Sequence, residues 1–123
     1  MKRQRAAASA LVLALLCPAP APAEPPARVR LEVDRLLGYV AGAGCEFYRN
    51  GFWYDATMAQ GHLRDKYNYL VEHDLINSTE DFIDRAATAS SFSGLAYEVR
   101  CPDGTAMPSQ QWLRAELGRL RAF

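Results

Sequence analysis

The sequence predicts a single α+β domain in which about four helices pack on a short three-stranded antiparallel sheet, closed by one disulfide. Three observations support this prediction: apolar residues recur at helical spacing in separate stretches, two aromatic-rich runs flank an Asn-Gly pair, and two cysteines remain after a predicted leader. Helical spacing indicates amphipathic helices, and Asn-Gly between such runs is a strong hairpin signal.

The first 23 residues have the pattern of a secretory signal peptide. Three basic residues precede an apolar run over 6–16, and Ala21-Pro22-Ala23 forms a small-residue cleavage box. We therefore predict a leader over 1–23, a mature domain over 24–123 and a periplasmic location. Acylation of Cys17 would instead give a lipoprotein, but that route needs a small residue where Leu16 stands.

Composition narrows the classes of partner. Removing the leader takes away Lys2, Arg3 and Arg5 and leaves a mildly acidic chain of about 100 residues, the size of one domain. No strongly basic surface is indicated, which argues against nucleic acid as a partner. No later stretch is long and apolar enough for a transmembrane segment in the mature chain.

The two cysteines of the predicted mature chain are Cys45 and Cys101. In an exported protein an even pair indicates a disulfide. We expect this bond to join the start of the first strand to the end of the last, with two separate buried thiols as the alternative.

The stretch from Cys45 to Tyr54 predicts the hairpin. Asn50 and Gly51 tolerate the positive φ angles of a type I′ turn. A two-residue loop fixes the register, and the predicted pairs are Arg49 with Phe52, Tyr48 with Trp53 and Phe47 with Tyr54. Because side chains alternate along a strand, Cys45, Phe47, Phe52 and Tyr54 share one face and Tyr48 and Trp53 share the other.

Helices and one further strand complete the prediction. The apolar stripe from Val29 to Val40 predicts a first helix that ends near Gly42, and Asp55 is placed to cap a second helix over 56–72. Ser78 and Ser109 are expected to cap the third and fourth helices. Alternation over 95–101 predicts the third strand, whose inward face carries Cys101.

Four blocks in this order resemble the YfeK-like family of small exported bacterial proteins of unknown function. The blocks are Cys45-x-Phe47-x-Arg49-Asn50-Gly51-x-Trp53-Tyr54, His62-Leu63-Arg64-x-Lys66-Tyr67-x-Tyr69-Leu70, Ser91-x-Ser93-Gly94-x-x-Tyr97-x-Val99-x-Cys101 and Trp112-Leu113. The resemblance implies a periplasmic location and brings no activity with it.

The candidate binding residues lie in two places, the hairpin and the small-residue loop before the third strand. They are Tyr48, Arg49 and Trp53 in the hairpin and Ser91, Ser93 and Tyr97 in and after the loop. Aromatic residues and arginine are the usual anchors of binding surfaces. We therefore predict a non-enzymatic periplasmic module that binds an envelope protein or a cell-wall fragment, with Tyr48 and Trp53 either exposed or covered by a helix.

Two more specific functions are kept as alternatives, a small hydrolase and a lysozyme inhibitor. His62 with a hydroxyl of Ser91 or Ser93 would suit a small hydrolase, although no nucleophile-elbow motif accompanies the serines. The Ser93-Gly94-x-x-Tyr97 stretch resembles the loop of periplasmic lysozyme inhibitors, which are β-barrels. No spacing of His and Cys indicates a metal site, and no glycine pattern indicates a phosphate or other cofactor.

Overall fold

The computed structural model describes residues 9–16 and 24–123. Of the predicted leader, only 9–16 are described, and they form neither helix nor strand. Cys17 and the predicted cleavage box at 21–23 lie outside the described residues. The elements in chain order are α1 (Ala27–Gly42), β1 (Glu46–Arg49), β2 (Phe52–Tyr54), α2 (Ala56–Glu72), α3 (Thr79–Ala86), β3 (Glu98–Arg100), β4 (Met107–Pro108) and α4 (Ser109–Arg121).

Two of the predicted helix caps are present and one is not. The side chain of Asp55 accepts a hydrogen bond from the Met58 amide at 2.9 Å, and that of Ser78 accepts one from Asp81. These bonds satisfy amides that have no partner within the helix. The prediction for Ser109 is wrong, because α4 begins after Pro108 with no side-chain cap, while the Ser109 amide donates to the Tyr97 carbonyl.

The described sheet has four strands in the order β2-β1-β3-β4, and all neighbouring pairs are antiparallel. The prediction of three strands is corrected here. The missed strand, β4, has two residues and ends in Pro108, which is too short for alternation to be visible. Proline donates no backbone hydrogen bond, and the edge of a sheet is where a strand tolerates it.

The register of the hairpin and the disulfide agree with the sequence. Phe47 pairs with Tyr54 and Arg49 with Phe52, and the turn residues Asn50 and Gly51 have φ angles of 50° and 91°. Glu46 pairs with Arg100, which places the cysteines next to this pair, and Cys45 and Cys101 are bonded across 56 residues of sequence. The bond therefore ties β1 to β3.

The helices bury their apolar stripes against one face of the sheet and against each other. Trp112 of α4 stacks on Tyr39 of α1 with ring centroids 4.3 Å apart, and its edge meets Phe47 of β1 at 5.6 Å. In α3, Phe82, Ile83 and Ala86 are fully buried. In the part of the chain that is described, no helix combines the length and the apolar character needed to cross a membrane.

A charged cluster joins α1, α3 and α4 at one end of the core, and we call it the paired cluster. Glu32 is buried and accepts hydrogen bonds from Arg121 at 2.8 and 3.1 Å and from the Thr79 hydroxyl at 2.8 Å. Arg121 also forms an ion pair with Glu80. Arg121 and Thr79 together hold the pKa of Glu32 at about 2, well below its usual value of 4.5.

Candidate functional site

A cavity of about 300 Å³ lies between the hairpin, α2 and the start of α4. Its walls are mostly apolar, and the side chains that form them include Val40, Phe47, Tyr54, Met58, Leu63 and Leu113. The volume is at the lower end of the range of small-molecule sites in proteins, which are typically mostly apolar with a few convergent polar groups.

The polar groups that line the cavity come from β1, α2, the residue before β3 and Ser109 at the start of α4. Arg49 is the last residue of β1, His62 and Asp65 lie on α2, and Tyr97 directly precedes β3. Arg49 reaches the cavity because it shares a strand face with Phe47, two residues earlier. His62 and Asp65 are three residues apart on the helix and therefore lie on neighbouring positions of its surface.

The hydroxyl of Tyr97 is the centre of the polar groups. Tyr97 is buried, and its hydroxyl oxygen accepts a hydrogen bond from Lys66 Nζ at 3.2 Å. Lys66 also donates to the Ala89 carbonyl at 3.1 Å. His62 Nε2 lies 3.4 Å from the same hydroxyl oxygen. Lys66 follows His62 by four residues, so one turn of α2 delivers both side chains to Tyr97.

Arg49 brings a positive charge that the surrounding residues do not neutralise. Its Nε atom is buried and has no hydrogen-bond partner. Among the described residues, neither Arg49 nor Lys66 forms an ion pair with a carboxylate. We call Arg49, His62, Lys66 and Tyr97 the cationic cluster.

The pKa values around Tyr97 report burial and this positive charge. Burial lowers the pKa of His62, and the charges of Arg49 and Lys66 lower it further, while Asp65 opposes them. Burial and Arg49 also lower the pKa of Lys66. Burial raises the pKa of Tyr97, so the hydroxyl keeps its proton at neutral pH.

The small-residue loop is tied to the hairpin turn. The Ser93 hydroxyl donates to the Asn50 side-chain oxygen, and Asn50 Nδ2 donates to the Ser90 hydroxyl at 3.2 Å. Ser91 and Ser93 are exposed, as is Phe92. These bonds fix the loop beside the turn that follows Arg49.

Tyr48 and Trp53 lie on the sheet face opposite Phe47. Their rings meet edge to face with centroids 5.5 Å apart, and the Arg100 guanidinium covers Trp53 at 4.1 Å. Both side chains are half-buried. They are therefore neither fully exposed nor covered by a helix as core residues, the two alternatives that the sequence left open.

The predicted site residues therefore separate into groups. The structure brings Arg49 and Tyr97 together at the cavity, whose lining also includes Tyr48, although the Tyr48 ring packs against Trp53. Ser91 and Ser93 lie in the exposed loop. Lys66 is the residue that the site prediction missed. The spacing of four between His62 and Lys66 is the signal that would have found it, because it places both on one helix face.

Two other kinds of chemistry find no support in the described geometry. No hydrogen bond joins His62 to Ser91 or Ser93 among residues 9–16 and 24–123, since His62 Nε2 faces Tyr97 and Ser93 donates to Asn50. Within the same residues, no group of three or more His, Cys, Asp or Glu could hold a metal ion.

The fold and the cavity define a small disulfide-bonded α+β domain with a largely apolar pocket and a cationic end. Residues 27–121 match the model of a family described as "Family of unknown function (DUF5329)", and the chain belongs to that family. No curated protein and no solved structure matches the chain.

Proposed function

We propose that this chain is an exported, non-enzymatic binding module that holds a small ligand, or the small end of an envelope protein or cell-wall fragment, in the cavity beside the hairpin. The single observation behind the proposal is the cavity itself, with its apolar walls and a few polar side chains at one end. That combination is the usual form of a ligand site, because apolar walls supply affinity and the polar groups supply orientation.

The proposed location is the periplasm. The support is the leader pattern of residues 1–23 together with the Cys45–Cys101 bond, since disulfides form and persist mainly in oxidising compartments. The resemblance to the YfeK-like family agrees with this location and stays part of the proposal.

Ligand binding has more support than the two alternatives. A hydrolase needs a nucleophile within hydrogen-bond reach of its base, and the partner of His62 is the Tyr97 hydroxyl. An inhibitor that inserts the Ser93–Tyr97 loop into an enzyme needs Tyr97 at the surface, and Tyr97 is only 6% exposed.

The test of the cavity is a titration with benzyl alcohol, a neutral aromatic probe, followed by two-dimensional amide NMR. We expect saturable shifts at Phe47, Leu63 and Tyr97, with a dissociation constant on the order of millimolar for a ligand of this size. Shifts that do not saturate, or that spread evenly over the surface, would contradict the proposal.

A matched pair of variants locates the probe. Ala59 lines the cavity and is half-buried, so Ala59→Phe places a ring in the space that the probe would occupy. Ala115 is exposed on α4, and Ala115→Phe adds the same ring away from the cavity. We expect Ala59→Phe to weaken binding at least tenfold and Ala115→Phe to leave it unchanged, with the amide spectrum reporting that both variants are folded.

A further inference from the structure

Arg49 and Lys66 differ from every other basic side chain in the described residues. Seven arginines form ion pairs with carboxylates: Arg28, Arg30, Arg64, Arg100, Arg114, Arg119 and Arg121. Arg35 and Arg85 have no such pair but are exposed to water. Arg49 and Lys66 are partly buried, have no carboxylate partner and meet at one hydroxyl, that of Tyr97.

Hydrogen-bond donors at this end of the cavity exceed the acceptors. Arg49 Nε is buried with its hydrogen unused. The Tyr97 oxygen accepts from Lys66, and its own hydrogen can be donated to His62 Nε2 at 3.4 Å or to a ligand. A buried cation without a partner is costly, and a buried donor without an acceptor adds to that cost. The missing component is an acceptor with a negative charge.

We propose that the cationic cluster receives the carboxylate of a small monoanionic ligand whose apolar body fills the cavity, with Arg49 and the Tyr97 hydroxyl as its hydrogen-bond donors. This inference rests on the proposed function, because it names the chemical class of the ligand for the same cavity. The planar guanidinium of an arginine matches the two oxygens of a carboxylate.

The charge of the ligand follows from the whole lining. Asp65 also lines the cavity, and its carboxylate repels an anion. Of the charged lining residues, Arg49 and Asp65 balance each other when His62 is neutral. Lys66 does not line the cavity but donates to the Tyr97 hydroxyl that does, and it adds one positive charge. One negative charge on the ligand therefore neutralises the site, and a second one would have no partner. The apolar walls exclude a ligand that is polar throughout.

The test compares benzoate with benzamide, its neutral isostere, by amide NMR at about pH 7. We expect benzoate to bind at least tenfold more tightly than benzamide. In the Arg49→Gln variant that preference should disappear. Arg100→Gln is the matched control, since Arg100 lies on the neighbouring strand but on the Trp53 face, where it pairs with Glu46, and it should keep the preference.

The pKa of His62 gives a second measurement. If Arg49 has only a structural role, adding benzoate should not change this pKa. The positive charges of Arg49 and Lys66 lower the pKa of His62. A bound carboxylate cancels part of that charge, so we expect benzoate to raise the pKa of the His62 ring in an NMR titration. Benzamide should leave that pKa unchanged. Both measurements are made on the unaltered protein, so they decide the question even where Arg49→Gln does not fold.

The outcomes distinguish failure of the anion site from failure of the cavity proposal. Equal binding of benzoate and benzamide, or benzoate binding without a change in the pKa of His62, overturns the anion site and leaves the cavity proposal standing. Tighter binding of phenylphosphonate as a dianion than of benzoate overturns the assignment of a single negative charge. If neither benzyl alcohol nor benzoate binds, the cavity proposal and the anion site both fail.

Discussion

The molecule has two regions where charged side chains are withdrawn from water, and they are organised in opposite ways. In the paired cluster, the carboxylate of Glu32 accepts hydrogen bonds from Arg121 and Thr79, and Arg121 is shared with Glu80. In the cationic cluster, Arg49 and Lys66 surround a neutral hydroxyl and have no carboxylate partner among the described residues. The arginine of the first region has carboxylate partners, and the cations of the second have none among the described residues.

This difference is what the proposed anion site would require of the cationic cluster. A buried ion pair holds elements in place because removing either partner leaves the other uncompensated. Arg49 and Lys66 are partly buried and have no carboxylate partner, so they gain no ion-pair stabilisation. Their position beside a cavity makes them candidates for ligand binding. The paired cluster lies where three helices meet, and the cationic cluster lies where a strand, a helix and a cavity meet.

The largest expected effect comes from replacing one arginine of each cluster by methionine. Arg121→Met leaves the buried Glu32 carboxylate without its main partner and should lower the free energy of unfolding by about 2–3 kcal/mol. Arg49→Met removes a cation that has no partner and should change it by less than about 1 kcal/mol in either direction. Urea unfolding followed by circular dichroism measures the free energy of unfolding of both variants and of the unaltered protein.

Arg114→Met is the control for this comparison. Arg114 pairs with Asp84 in an exposed position, and such pairs contribute less than about 1 kcal/mol. A loss in Arg49→Met as large as that in Arg121→Met would show that Arg49 is a structural residue, and the contrast between the two clusters would then be wrong.

The second prediction is that the two clusters change the stability of the fold in different pH ranges. The folded-state pKa of Glu32 is about 2 against the ordinary value of 4.5. Its contribution to stability is therefore complete above about pH 4.5 and is lost as the pH falls towards 2. The groups that face it are Arg121, Thr79, Arg28 and Glu80. Glu32→Gln should cost on the order of 2 kcal/mol at neutral pH and almost nothing near pH 2.

His62 affects the free energy of unfolding at a higher pH than Glu32 does. Its folded-state pKa is lowered from 6.5 by burial and by Arg49 and Lys66, while Asp65 opposes the shift. Stability therefore falls as the pH drops below about 6.5, because the unfolded chain takes up the proton first. His62→Gln should remove this step and leave the one below pH 4.5 in place. Urea midpoints measured at intervals between pH 2 and 8 show whether the two steps are separate.

Much of the fold could be predicted because its signals are local. The Asp55 cap, the Asn50-Gly51 turn and the hairpin register each depend on a few adjacent residues, and all three are confirmed. The disulfide could be predicted because, of the three cysteines, only Cys45 and Cys101 lie outside the predicted leader, and two cysteines allow one pairing. β4 could not be predicted, since two residues are too few for a period to show.

The site could be predicted only in part because its residues meet through the tertiary structure. Arg49 and Tyr97 were chosen for different surfaces, the outer aromatic face and the loop, and β1 beside β3 brings them to one cavity. Strand alternation from Phe47 already places Arg49 on the inner face, which the grouping with Tyr48 and Trp53 overlooked. Glu32 gave no signal, since its partners Thr79 and Arg121 are 47 and 89 residues away.

The smallest expected effect concerns a third polar cluster, which is neutral and carries the loop beside the cavity. Asn50→Gly keeps the positive φ angle of the turn and removes the bonds to Ser90 and Ser93. We expect a loss of about 1 kcal/mol in the free energy of unfolding and faster amide exchange over 91–95.

The preference for benzoate over benzamide should stay within about twofold, because Arg49 and Tyr97 are unchanged. Ser93→Ala is the control that removes the bond to Asn50 without touching the turn. It also frees the Leu95 amide, which donates to the Ser93 hydroxyl, so Leu95 is left out of the comparison. At the other amides of the loop, exchange in Ser93→Ala should lie between that of Asn50→Gly and that of the unaltered protein. If Asn50→Gly removes the benzoate preference, the loop itself is part of the anion site, and the division between the cationic cluster and its neighbours must be redrawn.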